Sequence, residues 1–86
     1  MELDKTILEK ICYDKNNSGS ENPVPIILKH YEVIIDDIDW TVKCFYSKSF
    51  NRVGWSYEEI EYISKVEYKR EKNRIDRERK LTELGI

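Results

Sequence analysis

Residues 23–50 read PVPIILKHYEVIIDDIDWTVKCFYSKSF, and whether this run is a helix or a pair of strands decides the fold of the whole chain. Its many β-branched residues favour strands, with a hairpin turning at Asp36-Asp37. Its spacing favours a helix. Ile27, Leu28, Tyr31, Ile34, Ile35, Ile38, Val42, Phe45 and Tyr46 recur at steps of three and four when neighbours are grouped, whereas strict alternation would bury Lys29 or His30 together with Glu32. Asn22 is placed to cap such a helix, and Pro23 and Pro25 suit a first turn, where a missing N–H costs nothing. The spacing therefore predicts a helix over 25–47, with the hairpin as its alternative.

On the C-terminal side, SFNRVG (residues 49–54) turns the chain into WSYEEIEYISKVEYKREKNRIDRERKLTELG (residues 55–85). Ser56 followed by Glu59 matches a capping box, and Gly85 is a natural stop. One long helix is expected between them, about 40 Å at 1.5 Å per residue. On the N-terminal side, Leu3, Ile7, Leu8, Ile11 and Cys12 form one stripe of a helix over 2–14. KNNSGSEN (residues 15–22) is a polar surface loop.

The expected fold class is thus all-α, three helices with a long, partly projecting C-terminal helix, and α+β (helix-hairpin-helix) is the alternative. The 86 residues make a single domain, with a body over 1–68 and a basic helical extension over 69–86. A core of this size is near the lower limit for a stable fold, so a dimer would help it.

The formal charge of −2 is unevenly spread. Residues 1–63 carry seven Lys/Arg against twelve acids, a net of −5, whereas 64–80 carry eight bases against four acids, a net of +4. On a helical wheel Lys65, Lys69, Lys72, Arg79 and Lys80 share an arc of about 100°, with Glu67, Glu71 and Glu78 on a separate stripe. A line of Lys and Arg is suited to tracking phosphates through counterion release. The competing use of this helix is a protein interface or self-association through Tyr68, Ile75, Leu81 and Leu84, joined by the aromatic surface around Trp40 and Trp55. Solvated i,i+3 and i,i+4 pairs alone would also account for its charges.

Catalysis is not expected. The chain has one His, His30, and no Gly-rich phosphate loop or nucleophile–base arrangement. Asp36, Asp37 and Asp39 read as a solvated acidic cluster. Cys12 and Cys44 lack the spacing of metal ligands. No metal, cofactor or small-molecule substrate is therefore implied. The acidic, amphipathic start MELDKTILEK is unlike a signal peptide, and no apolar run approaches the roughly 20 residues that span a bilayer. A cytoplasmic location follows as the expectation.

Ile27, Leu28, Lys29, His30, Tyr31 and Ile34, with Gly54 in the following loop and Glu58 and Glu59 opening the next element, resemble small helix-turn-helix-type, sigma-factor-like regulatory proteins of Gram-positive conjugative transposons and phages. The resemblance covers about half the chain. KNNSGSEN stands where the family has a short Gly-Asp turn, and the tail after Tyr68 is longer and more basic than the family pattern. The resemblance implies a regulatory role acting through DNA or RNA polymerase, with no catalytic residues.

Overall fold

A computed structural model describes residues 2–50 and 55–83. Gly54, Leu84 and Gly85 lie outside the described residues, as do the side chains of Trp55, Tyr57, Lys80 and Leu81. The order of elements is α1 (Lys5–Asn17), β1 (Ile26–Asp36), β2 (Asp39–Phe50), β3 (Trp55–Ser64) and α2 (Lys65–Glu83). The strands form an antiparallel meander in the order β1-β2-β3. The fold is α+β, which corrects the all-α, three-helix expectation. The helix expected over 25–47 is the β1–β2 hairpin, and the first third of the expected long C-terminal helix is β3.

A bulge explains the first correction. Leu28 pairs with Tyr46 and His30 with Phe45, so Lys29 is the extra residue and the alternation changes phase there. Ile26 and Leu28 before the bulge, and Tyr31, Val33 and Ile35 after it, therefore share one face. His30 and Glu32, whose apparent burial argued against strands, fall on the other face. The hairpin turns through Asp37 and Ile38. Asp37 adopts a φ of 54°, a left-handed conformation that a short polar side chain tolerates and that tight hairpin turns require.

The core lies between one face of the sheet and the two helices. β2 supplies Trp40, Val42, Cys44 and Tyr46, β3 supplies Ile63, α1 supplies Ile7, Leu8, Ile11 and Cys12, and α2 supplies Tyr68. Four of the five residues in the expected α1 stripe are buried, and Leu3 packs against the cluster. Asp4 caps α1, its Oδ1 accepting from the Thr6 N–H at 2.9 Å. Asn17, at the other end, donates to the Val24 carbonyl (2.9 Å) and accepts from the Val24 N–H (2.7 Å), pinning the following loop to the helix. The Leu28 N–H beside the bulge donates to Glu9 Oε2 of α1 at 3.0 Å.

Cys12 and Cys44 are both free and buried. A hydrogen bond with Cys44, reinforced by burial, holds the Cys12 thiol above the usual range. The thiol of Cys12 therefore stays protonated. Among the described residues, no helix is long and apolar enough to cross a membrane.

Candidate functional site

The basic helix α2 begins at Lys65 because a capping box sits there rather than at Ser56. The Glu67 N–H donates to Ser64 Oγ (3.2 Å), and the Ser64 N–H donates to Glu67 Oε2 (3.0 Å). Glu59, the partner expected for Ser56, instead faces the strands. Its Oε2 accepts from the Tyr46 hydroxyl at 2.9 Å and pairs with Lys48 at 3.1 Å. Those two partners, Lys48 first, lower the Glu59 pKa, while burial first and Glu59 next push the Tyr46 hydroxyl up to about 12.

Lys15 of α1 joins three elements at the start of α2. Its Nζ lies 3.1 Å from Glu67, 3.4 Å from Glu61 of β3 and 3.3 Å from the Tyr62 carbonyl. Burial is the largest single influence on Lys15 and opposes its charge, but Glu67 and Glu61 outweigh it and raise its pKa. For Glu67, burial likewise opposes ionisation, and the Ser64 N–H, Lys15 and Arg70 outweigh it, lowering the pKa.

The sign of the resulting pH dependence follows from these two directions. Glu67 stabilises the fold above its ordinary value of 4.5, and that stability is lost as pH falls through the lowered folded-state value. Lys15 stabilises below its ordinary 10.5, and its contribution is lost as pH rises through the raised value. Lys15→Met should therefore unfold at lower urea concentration than the native chain between about pH 5 and 10. The two midpoints should converge at both extremes. A gap that stays constant from pH 3 to 11 would show that the ion pairs contribute nothing.

Further along α2, Tyr68 and Ile75 face the core. The Tyr68 ring meets Trp40 edge-on at 5.6 Å, and its hydroxyl accepts from the Asp4 N–H at 3.0 Å. Ile75 is partly buried against the same cluster. Of the residues expected at a protein interface, these two thus serve the domain's own packing. Leu84 lies outside the described residues, as does the side chain of Leu81. Trp40 is also buried in the core, so it offers no aromatic surface.

The phosphate-tracking set fares differently. Lys65 is half-buried and donates to the Ile38 carbonyl at 3.0 Å, tying the hairpin tip to α2. Lys69, Lys72 and Arg79 are exposed, as are Arg70 and Arg77 to one side of the arc. The acids are engaged elsewhere: Glu67 with Lys15, and Glu71 and Glu78 with Arg74. Those two carboxylates, Glu71 first, raise the Arg74 pKa. Among the residues whose side chains are described, Asp76 is the one acid exposed within the basic arc. From Lys69 to Arg79 the helix rises about 15 Å, or four to five nucleotide steps at about 3.4 Å. Arg70 and Arg77 were visible in the charge count but not in the arc, and the wheel alone did not reveal that Lys65 would be drawn to the hairpin.

Among the described residues no group of three His, Cys, Asp or Glu side chains is placed to hold a metal ion. Asp36, Asp37 and Asp39 stand exposed at the hairpin tip. In comparisons with known proteins the chain matches no family model, no curated protein and no solved structure. The residues that carry the likeness to sigma-factor-like regulators, Ile27 to Ile34, lie on a strand here rather than on a helix.

Proposed function

We propose that this chain is a small non-enzymatic regulatory protein that docks on the phosphate backbone of a nucleic acid through the exposed basic face of α2. One observation carries the reading: Lys69, Lys72 and Arg79 stand exposed along one side of a helix whose acids Glu67, Glu71 and Glu78 are engaged with Lys15 and Arg74. Such a surface recognises charge and spacing, and backbone contacts of this kind position a protein without reading bases. The competing protein interface loses two of its apolar anchors, because Tyr68 and Ile75 pack inward.

The body, at −5 over residues 1–63, repels the same ligand, so binding belongs to low salt, below about 100 mM. The triple variant Lys69→Ala, Lys72→Ala, Arg79→Ala should lower affinity for a labelled duplex at least about tenfold, and equally for unrelated sequences. All three side chains are exposed, so the melting temperature should hardly move. Fluorescence anisotropy at about 50 mM salt reads the effect. An unchanged affinity, or a loss confined to one sequence, would overturn the proposal.

A further inference from the structure

We propose that the sheet face opposite the helices is a self-association surface, joining two copies of this chain face to face about a two-fold axis that runs across the strands. An antiparallel sheet with one solvated face normally alternates apolar-in with polar-out. Here Ile27, Ile34, Ile60 and Tyr62 all point outward and are 52%, 47%, 47% and 54% exposed. His30 stacks on Phe45 on the same face, with ring centroids 4.2 Å apart.

The occupant follows from the register. Cross-strand pairing sets two central rows on this face, His30–Phe45–Ile60 and Glu32–Lys43–Tyr62. A two-fold axis between the sheets, perpendicular to the strands and passing between these rows, lays each row on the other row of the second copy. His30 then faces Glu32, Phe45 faces Lys43, and Ile60 faces Tyr62. One row further out, Ile27 faces Ile34. Every central pairing is complementary: an imidazole with a carboxylate, an ammonium with an aromatic ring, and apolar with apolar. The Lys43 ammonium already lies 5.2 Å from the centroid of its own Phe45 ring.

An axis along the strands would instead set Lys43 on Lys43, which like-charge repulsion disfavours. Shape agrees with the first arrangement. A concavity of about 460 Å³ lies among His30, Phe45, Glu58 and Ile60, and Tyr62 of the second copy, facing Ile60, is placed to enter it. Three strands about 4.8 Å apart and eight residues at about 3.3 Å give a face of roughly 14 by 26 Å. Two such faces bury roughly 730 Å² in total, below the size of stable specific interfaces, so the dimer is weak and transient.

Sedimentation velocity on the full chain from about 5 μM to 1 mM, without nucleic acid, tests this independently of the phosphate reading. The expected result is a reversible shift from monomer to dimer within that range. Ile34→Lys and Tyr62→Glu, at half-exposed positions, should each weaken the dimer at least about tenfold, with circular dichroism and the melting point of dilute protein unchanged. Lys72→Glu on α2 should leave the dimer intact. A chain that stays monomeric to 1 mM, a dimer that survives both sheet substitutions, or one abolished by Lys72→Glu alone would each overturn the proposal.

Discussion

Ile63→Ala should cost about 2–5 kcal/mol of stability, and Ile34→Ala under about 1 kcal/mol. Both residues would be core in an all-helical chain, Ile34 on the apolar stripe read from residues 25–47 and Ile63 among Ile60, Ile63 and Val66, which recur at steps of three along 55–85. In the sheet they part company. Ile63 has no exposed surface and pairs across the ladder with Val42, which is likewise fully buried, so truncation leaves a cavity beneath the helices. Ile34 sits across from Thr41 on the open face and keeps 47% of its surface exposed. Urea unfolding of the two variants in dilute solution separates these costs. Equal losses would restore the helical reading of residues 25–47.

Deleting Lys29 should be tolerated, although a one-residue deletion inside a strand normally turns one part of it over. Lys29 is exposed and lies at the register shift between Leu28 and His30. It is the extra residue of the bulge. Removing it leaves Leu28 opposite Tyr46 and His30 opposite Phe45, so the ladder closes into a regular one and Ile26 and Leu28 stay on the core face with Tyr31 and Val33. The expected outcome in urea unfolding is a loss within about 1 kcal/mol, with Lys29→Ala nearly silent. A loss of at least about 3 kcal/mol, as a strand turned over in the core would give, would mean that Lys29 is not the residue at which the phase of β1 changes.

These two expectations also show where sequence reasoning reached and where it stopped. The α1 stripe was legible because Ile7, Leu8, Ile11 and Cys12 obey one period without interruption. β1 was not, because one inserted residue changes the phase of an alternating pattern, and the interrupted pattern then resembles a helical one. β2 alternates cleanly through Trp40, Val42, Cys44 and Tyr46, but Val42, Phe45 and Tyr46 also satisfy steps of three and four.

The C-terminal element posed a different ambiguity. Ser56 with Glu59 and Ser64 with Glu67 have the same local spacing. Pairing of residues 55–64 with β2 decides between them. That is a long-range interaction, which local spacing does not report. The same limit hid the role of Tyr68, whose burial depends on Trp40 twenty-eight residues earlier in the chain. The charge asymmetry, by contrast, is a property of composition. It survives the change of fold, and with it the exposed positions Lys69, Lys72 and Arg79.

The salt dependence of nucleic-acid binding tests the proposed role of α2 most directly. With Lys65 turned to the Ile38 carbonyl, three described residues of the arc stand exposed for phosphate: Lys69, Lys72 and Arg79. Duplex affinity plotted against salt concentration on logarithmic axes should then be linear, with a slope of about −2.7 at −0.9 per contact. Replacing Lys69 and Lys72 with Ala should bring it to about −0.9. An affinity that does not change with salt, or no binding even at about 20 mM salt, would contradict the account.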